Sequence, residues 1–367
     1  MKETVGIITF HASHNYGSML QAYALQQTVL SMGFDCKIIN LRTERQRKFY
    51  RDNFYNYGIK GKALTLLLKP HILFAMKKRY NHFEQFLSDK LILTQEYSTL
   101  EEIEEANLNF DYYISGSDQI WNTACFDFDW AYYLPFANAK RIAYAPSMGP
   151  MPESQVNATN GHRIANLIDK YDAVSVREQR TSDWIKKYTG NDYPTLPDPT
   201  LLIEPMTWNE LAGDKPLVNG KYIYFYAPWP NKRLFEKAAE LAKSHGLKIV
   251  VSPMYDFITL GDYPKKGIFE YYIPTGPVEF LNLCKFATYL TGGSFHLMVF
   301  ASMFRKPIYA IDANNDSRIC QFLKGVAELD DNSDIDFISN QVDYDNLHRI
   351  IEGRRRMAMQ FLAEALA

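Results

Sequence analysis

The chain has 367 residues, a formal net charge of −2 and a hydrophobic fraction of 47%. Its length exceeds the usual size of a single hydrophobic core, so two domains are expected, and an aromatic fraction of 14% excludes a disordered chain. The nearly neutral charge excludes a general electrostatic attraction to nucleic acid, and no apolar run reaches about 18 residues, the length that crosses a bilayer.

Apolar runs of strand length alternate with segments of helical period along the chain. The first run, residues 4–10, predicts a buried strand, and residues 18–32 predict a helix that ends where Gly33 can adopt a left-handed conformation. The further predicted strands are residues 36–41, 111–115, 141–145, 173–176, 222–227, 248–252, 288–291 and 307–311. The further predicted helices are residues 234–245, 278–286, 294–304 and 343–366.

This alternation is typical of parallel sheets built from βαβ units, so the sequence predicts an α/β fold. Proline-dense and loop-like sequence between residues 193 and 221 indicates a boundary between two Rossmann-like domains, although no internal sequence repeat is present. We predict an N-terminal domain over residues 1–200, with a basic insertion at residues 42–80, and a C-terminal domain over residues 201–340. A final helix, residues 341–367, is predicted to pack back across the domain junction.

The first candidate site follows the first predicted strand, where open α/β sheets bind ligands. This loop, residues 11–18, holds two histidines together with Asn15 and Tyr16. Asn15 or Ser18 can cap the next helix, whose free N–H groups suit an anion or a sugar hydroxyl, and Gly17 allows close backbone approach. The alternative is an ordinary turn with a helix cap.

Two further candidate loops follow later strands. After residues 111–115, the sequence Gly-Ser-Asp gives a loop of backbone donors with Asp118 as a base or hydroxyl acceptor. After residues 288–291, two glycines precede Ser294, which begins a helix with His296 in its first turn. The positive end of a helix dipole favours an anion and a neutral imidazole, unless a bound anion reverses the second preference. A structural histidine is the alternative.

Arg177 closes the predicted strand 173–176 and is a candidate for binding an anion. The guanidinium group donates two parallel hydrogen bonds, which suits a carboxylate or a phosphate. An ion pair with Glu178 or another acidic residue is the competing explanation.

Sequence signatures of several other enzyme classes are absent. The chain has no Walker-type loop, no G-x-G-x-x-G, no H-E-x-x-H and no G-x-S-x-G, so kinase, dinucleotide, zinc-protease and hydrolase functions lack support. Its cysteines lack metal-ligand spacing, and we interpret them as structural thiols without a metal site: Cys36, Cys125, Cys284 and Cys320. The N-terminal run turns polar at His11, too early for a signal peptide, so a reducing cytoplasm is the expected location.

Residues 42–79 form a strongly basic segment. It carries eleven basic and two acidic side chains, a local charge of +9, which leaves −11 for the remainder of the chain. Apolar patches at residues 64–68 and 71–76 lie among these charges. Such a segment can rest on an anionic membrane surface, and a solvated basic face is the alternative.

Six motifs in this order resemble the polysaccharide pyruvyl transferase family, and the resemblance covers roughly residues 5–311. The motifs are Asn15-Tyr-Gly-Ser18 with Leu20-Gln-Ala-Tyr-Ala24, Ser115-Gly-Ser-Asp-Gln-Ile-Trp-Asn122, Ile142-Ala-Tyr-Ala-Pro-Ser147, Ser175-Val-Arg-Glu178, Asp198-Pro-Thr-Leu-Leu202 and Ser294-Phe-His296. Many members carry Arg-Leu-His-Gly at the last motif, where this chain has Ser294-Phe-His-Leu297. Arg305 or Arg318 is a candidate replacement for the missing arginine.

The resemblance implies a GT-B-like fold, in which two Rossmann-like domains face each other across a cleft. It implies phosphoenolpyruvate as co-substrate without a further cofactor, and a sugar acceptor of a cell-surface or capsular polysaccharide repeat unit that receives pyruvate as a ketal. The acceptor side would be the N-terminal domain and the donor side the C-terminal domain. A lipid-linked oligosaccharide would place the protein at the inner membrane face, in contact through residues 42–80.

The resemblance also assigns roles to individual residues. It implies catalytic roles for His296 and Asp118. The donor-binding residues would be Arg177, Gly293, Ser294 and Phe295. The acceptor-binding residues would be His14, Asn15, Tyr16, Gly17, Ser18 and Ser117.

Two other functions fit the same predicted architecture, because a fold does not fix a function. A nucleotide-sugar glycosyltransferase would need an acidic residue that grips a ribose, and Glu279 is the nearest candidate. A catalytically silent sugar-binding paralogue would keep the site without turnover, and Ser294 and Leu297 are the departures that favour it. The acceptor sugar, the ketal stereochemistry and the oligomeric state are left open by the sequence.

Overall fold

A computed structural model describes residues 2–51, 70–149, 158–253, 264, 267–311, 313, 318–319, 322, 335–336 and 342–367. The chain divides into two compact units, called here the first and the second unit. The first unit comprises Met1–Tyr50, Leu87–Ile203 and Ile351–Ala367. The second unit comprises Arg51–Phe86 and Glu204–Ile350.

The first unit is built around a parallel sheet. Its strands are β1 Thr4–Ile8, β2 Asp35–Leu41, β3 Leu93–Tyr97, β4 Tyr112–Ser115, β5 Lys140–Ala143 and β6 Ala173–Val174, in the order β3-β2-β1-β4-β5-β6. Described helices that begin in this part of the chain are α1 Tyr16–Ser31, α2 Glu44–Arg51, α4 Leu100–Glu105, α5 Ala158–Ile168 and α6 Gln179–Thr189. Between α2 and α4 lies α3 Pro70–Lys90.

The second unit repeats the same plan. Its strands are β7 Tyr222–Tyr226, β8 Lys248–Val251, β9 Phe269–Tyr271, β10 Tyr289–Gly292, β11 Ile308–Ala310 and β12 Ile335–Asp336, in the order β9-β8-β7-β10-β11-β12. All neighbouring pairs are parallel except β11 and β12, which pair antiparallel. Further described helices are α7 Pro205–Ala212, α8 Lys232–His245, α9 Pro277–Phe286, α10 Phe295–Met303 and α11 Tyr344–Ala365.

The central strands were predicted because they are buried on both faces. Every residue of β4 and of β7 is buried, which parallel sheets covered by helices require of their strands. The edge strand β3 and the short β9 were not predicted. Their partly exposed residues include glutamates, so they lack a continuous apolar run.

The basic segment contributes to the core of the second unit. Ile72 and Met76, which the sequence placed in an apolar patch, are buried there against strands of the second unit. Phe74 points elsewhere and remains 73% exposed. Residues 52–69, including the patch at 64–68, lie outside the described residues. The domain boundaries predicted from the sequence differ from the compact units here, because Arg51–Phe86 belongs to the second unit.

The predicted final helix is present as α11, and Arg355 fixes part of it within the first unit. The buried guanidinium donates to the carbonyl oxygens of Leu201 at 2.9 Å and Ile203 at 3.1 Å. It also pairs with Glu352 one turn earlier at 2.8 Å. These bonds satisfy carbonyl groups of the segment that ends the N-terminal part of the unit.

Candidate functional site

Each sheet has one topological switch point. It lies between two neighbouring strands whose next strands along the chain are on opposite sides of the pair. In the first unit it lies between β1 and β4, because β2 lies beyond β1 and β5 lies beyond β4. Loops that leave the carboxyl ends of two such strands separate and form a ligand-binding crevice. The loops after β1 and β4 contain all the candidate residues that the sequence predicted in this unit except Arg177, which follows β6.

Asn15 caps α1, as predicted. Its side chain accepts hydrogen bonds from the backbone N–H groups of Gly17 and Ser18. Gln21, further along α1, donates to the Thr9 hydroxyl and to the Ser18 carbonyl oxygen, both at 2.9 Å. The loop after β1 is therefore tied to the first turn of the helix.

Ser18 and Asp118 meet at this switch point. The Ser18 hydroxyl donates to Asp118 Oδ2 at 2.5 Å, and the Gln119 N–H donates to Asp118 Oδ1 at 2.8 Å. Asp118 has a φ of 72°, a left-handed conformation that aspartate tolerates better than most residues. Gly116 has a φ of 139°, and a Cβ atom there would lie 2.0 Å from the Tyr144 carbonyl oxygen. Only glycine fits this turn.

Three predicted acceptor contacts are buried. Tyr16 and Ser117 have no exposed surface, and His14 is 4% exposed. The Ser117 hydroxyl donates to the Ala145 carbonyl oxygen at 2.5 Å, and the His14 ring stacks on Tyr50 with 4.7 Å between ring centroids. Ser117 thus holds two loops together. The acceptor roles assigned to these three residues stay predictions.

Arg177 lies in a buried group of carboxylates. Its side chain is 2% exposed, and its Nη1 atom is 2.9 Å from Asp198 Oδ2 and 3.7 Å from Asp118 Oδ1. Its Nε atom is 3.7 Å from Glu178 Oε2. This is the ion pairing named above as the competing explanation for the arginine. The donor-binding role of Arg177 stays a prediction.

Hydroxyl groups donate further hydrogen bonds to two of these acids. Asp198 accepts from the Thr200 hydroxyl at 2.7 Å, and Glu178 accepts from the Ser147 hydroxyl at 2.7 Å. Buried charges are tolerated only when they are paired and hydrogen-bonded, and here one guanidinium serves three carboxylates. The arginine is therefore central to the electrostatic balance of this part of the first unit.

Sequence reasoning missed a second polar group near the same switch point. Asp127, in the segment after β4, accepts hydrogen bonds from Ser13 and Tyr50. The available signal was an acidic residue between Phe126 and Phe128, in a stretch without predicted structure. A carboxylate in such aromatic surroundings needs polar partners from elsewhere in the chain.

The second unit has its switch point between β7 and β10. Gly292 ends β10 with a φ of 144°, and a Cβ atom there would lie 2.0 Å from the Tyr226 carbonyl oxygen. At Gly293 the nearest atom to an added Cβ would be the Ile311 carbonyl oxygen at 3.8 Å. The first glycine is thus required by close backbone approach, whereas the second leaves space beside the backbone.

The helix after β10 begins as predicted. Ser294 is the N-cap of α10 but its side chain makes no capping hydrogen bond, and His296 lies in the first turn. Phe295 and His296 are 6% and 7% exposed, and their rings contact edge to face at 5.1 Å. The N–H groups in the first turn of a helix have no partner within the helix, so this end of α10 is suited to an anion.

Glu279 serves as a helix cap in the second unit. Its Oε2 atom accepts from the Gly276 N–H at 2.8 Å, and its Oε1 atom lies 3.0 Å from His82 Nδ1. A side chain at Gly276 would collide with His82, because an added Cβ would lie 2.6 Å from the histidine Cβ. Both oxygens of Glu279 are engaged by residues of its own unit.

The described cysteines have no disulfide partner. Cys36 and Cys284 are buried, and burial raises the pKa of both thiols, which keeps them in the unreactive protonated form. Cys320 lies outside the described residues. Across the described ranges, no group of three or more His, Cys, Asp or Glu residues is arranged to hold a metal ion. Within the same ranges, no helix has the length and apolar character needed to cross a membrane.

Comparisons with known proteins give a family and a fold. The sequence profile of a family described as polysaccharide pyruvyl transferase matches residues 15–315. UDP-GlcNAc 2-epimerase from Neisseria meningitidis, bound to UDP-GlcNAc, is similar in structure with a TM-score of 0.51 and 10% identity, over 100% of this chain and 99% of that chain. The S. aureus MnaA–UDP co-structure has a TM-score of 0.50 and 11% identity, over 100% of this chain and 91% of that chain.

None of the curated proteins matches this sequence. At such low identity the two structural similarities concern the fold alone. Together with the two Rossmann-type sheets they confirm the predicted α/β, GT-B-like class.

Proposed function

Because this chain belongs to the polysaccharide pyruvyl transferase family, we propose that it transfers pyruvate from phosphoenolpyruvate onto a sugar. The product would be a cyclic ketal on a unit of a cell-surface or capsular polysaccharide, with release of phosphate. The family match over residues 15–315 is the observation that carries this proposal. No further cofactor is needed, since the donor already carries the activated three-carbon group.

The reaction sets clear requirements for the site. A proton adds to the methylene carbon of the donor, and one sugar hydroxyl bonds to the adjacent carbon and loses its proton. A second hydroxyl then replaces the phosphate, which leaves with the electrons of its C–O bond. The site therefore needs a proton donor, a base for each hydroxyl and groups that stabilise the donor anion.

In this proposal the donor is bound by the second unit. The start of α10, with Gly293, Ser294 and Phe295, offers backbone N–H groups and a positive dipole end to the phosphate. His296 in the first turn is the proton donor or the phosphate contact. Its burial beside Phe295 restricts access of water, which strengthens interactions with a bound anion.

The first unit supplies the acceptor contacts in this proposal. Asp118 accepts the proton of a sugar hydroxyl, and the loop of residues 14–18 lines the acceptor position. Ser18 already donates to Asp118 at 2.5 Å, which is the kind of contact that a sugar hydroxyl would make. Arg177 forms an ion pair with the same carboxylate, with 3.7 Å between Arg177 Nη1 and Asp118 Oδ1.

The engagement of Glu279 argues against a nucleotide-sugar glycosyltransferase. That function would need the carboxylate to accept hydrogen bonds from a ribose. One of its oxygens instead accepts from the Gly276 N–H, and the other lies 3.0 Å from His82 Nδ1. A glutamate at the third helical position that accepts from the N-cap N–H is a structural feature of a helix start.

We place the protein in the cytoplasm, in peripheral contact with an anionic membrane that holds lipid-linked acceptors. The outer face of α3 supports this contact. Phe74 is 73% exposed, and the neighbouring Lys77 and Lys78 are exposed on the same helix. An apolar ring beside two cationic side chains suits the interface of anionic lipids.

Replacing Lys77 and Lys78 with alanine is expected to weaken binding to phosphatidylserine vesicles by about 2 kcal/mol, roughly thirtyfold, since each basic residue contributes about 1 kcal/mol near such a surface. Vesicle co-sedimentation at physiological salt measures the affinity. The matched control removes two exposed lysines elsewhere, Lys2 and Lys37, and should bind like the wild type. Equal binding by both variants, or no binding by the wild type, contradicts the membrane assignment.

The donor assignment is tested by calorimetric titration with phosphoenolpyruvate. Saturable binding of this ligand, without binding of UDP-GlcNAc, is the expected result. A preference for the nucleotide sugar would contradict pyruvyl transfer and favour glycosyl transfer.

A further inference from the structure

Asp127 has two carboxylate oxygens in different situations. Its Oδ2 atom accepts hydrogen bonds from the Ser13 hydroxyl and from the Tyr50 hydroxyl, both at 2.6 Å. Its Oδ1 atom is buried and makes no direct hydrogen bond within the described residues, although the Gln46 side chain lies near this carboxylate and Asp127 as a whole is only partly buried. Buried polar atoms are nearly always paired, so this oxygen calls for a partner that arrives from outside.

Three loops converge on this carboxylate. Ser13 lies in the loop after β1, Tyr50 lies in α2 after β2, and Asp127 lies in the segment after β4. These strands are neighbours in the sheet, in the order β2-β1-β4, and all three connections leave its carboxyl edge. The convergence point is therefore at the switch point, beside the Ser18 and Asp118 pair.

His14 completes the group, which we call the Asp127 cluster: Ser13, His14, Tyr50 and Asp127. The His14 ring stacks on the Tyr50 ring with 4.7 Å between centroids and 20° between planes. This stacking fixes the orientation of the Tyr50 hydroxyl toward the carboxylate. A rigid carboxylate with one engaged and one unengaged oxygen is suited to accept a hydrogen bond in a defined direction.

Burial and hydrogen bonding act on the pKa of Asp127 in opposite directions. Burial raises the pKa of Asp127, hydrogen bonds from Ser13 and Tyr50 and the nearby Gln46 amide oppose this, and the charge of Asp118 adds to the rise. Carboxylates with such opposed influences concentrate at functional sites. A purely structural role, in which Asp127 links the segments that carry Ser13 and Tyr50, would require only its Oδ2 atom.

We infer that the Asp127 cluster is a hydroxyl-binding subsite, in which Asp127 Oδ1 accepts a hydrogen bond from a hydroxyl group of the acceptor sugar. The inference rests on the proposed function, which supplies a polyhydroxylated acceptor. It adds a binding residue that is separate from Asp118 and thereby provides one carboxylate for each of two neighbouring hydroxyls.

The test is ligand-observed NMR with methyl glycosides of galactose, glucose and mannose as probes. Wild type, Asp127→Asn and the control Asp129→Asn are compared. Asparagine keeps an acceptor for Ser13 and Tyr50 but replaces the other oxygen with a donor. The control Asp129→Asn is the same substitution two residues away. The Asp129 side chain caps the turn Trp130–Tyr133 by accepting from the Ala131 N–H at 2.8 Å.

Binding of at least one glycoside by the wild type and by Asp129→Asn is expected, with affinity about ten- to a hundredfold lower in Asp127→Asn. The melting temperature of Asp127→Asn should stay close to that of the wild type, because the hydrogen bonds to Oδ2 are kept. Undiminished binding by Asp127→Asn, or no glycoside binding by the wild type, overturns the inference. Titration with phosphoenolpyruvate is independent of this result, so failure of the proposed donor and failure of the subsite are distinguished.

Discussion

Replacing Arg177 with alanine is expected to lower the free energy of unfolding by about 3–5 kcal/mol, because removal of one partner leaves uncompensated buried charge. The guanidinium group is the cation near three buried carboxylates, with the nearest contact to Asp198 at 2.9 Å. Hydroxyl groups that hydrogen-bond these acids cannot replace a positive charge. The loss should therefore appear in stability before any ligand is added.

Urea unfolding of Arg177→Ala and of a control, Arg180→Ala, measures this effect. Arg180 is an exposed residue of α6 three positions away, and its substitution should change the free energy of unfolding by about 0.5 kcal/mol or less. A stable Arg177→Ala that has lost only phosphoenolpyruvate binding would contradict the structural role and favour the predicted donor contact. Wild-type stability with intact donor binding would contradict both roles.

Replacing His296 with alanine is expected to reduce turnover by about 10²–10⁴-fold, the usual contribution of a positioned acid or base. His296 stands in the first turn of α10, where the helix dipole and the N–H groups favour the anionic donor. Phosphate release from phosphoenolpyruvate, in the presence of glycosides that carry neighbouring hydroxyls, measures turnover.

A matched histidine is available as the control. His245 lies exposed in the last turn of α8, and His245→Ala should keep the wild-type rate. Near-full turnover by His296→Ala would remove this residue from the chemistry. A fall in donor affinity with an unchanged maximal rate would assign it to phosphate binding instead of proton transfer.

The sequence predicted the central strands and the loops that follow them, because both depend on local pattern. Buried apolar runs mark β1, β4, β7 and β10, and glycines or capping residues mark the turns after them. The position of His296 in a first helical turn follows from the same local signals. The edge strands β3 and β9 escaped prediction because they carry partly exposed polar residues.

Partners that are distant in sequence could not be predicted. Ser13 and Asp127 are separated by 114 positions, and Ser18 and Asp118 by 100, so only the order of strands in the sheet brings them together. The chain holds 42 acidic residues, and only the adjacent Glu178 could be named from the sequence as a partner of Arg177, whereas Asp118 and Asp198 could not. The contact of Glu279 with His82 likewise comes from a distant helix.

The shared strand order of the two units also has no counterpart in the sequence. Both sheets have two outer strands beyond each member of a central parallel pair. A glycine with a φ near 140° stands at the end of the fourth strand in each unit: Gly116 follows β4, and Gly292 ends β10. In the first unit this glycine faces Tyr144, whereas in the second it faces Tyr226. In both units the close contact is with a backbone carbonyl oxygen of a tyrosine, so the two turns share a backbone arrangement although the sequence has no detectable repeat.

Calorimetric titration of the wild-type protein with phosphoenolpyruvate, with UDP-GlcNAc as the parallel ligand, tests the proposed pyruvyl transfer most directly. We expect a saturable heat of binding for phosphoenolpyruvate that is kept in His245→Ala, and no binding of the nucleotide sugar. Saturable binding of UDP-GlcNAc together with no heat from phosphoenolpyruvate would contradict pyruvyl transfer by this chain.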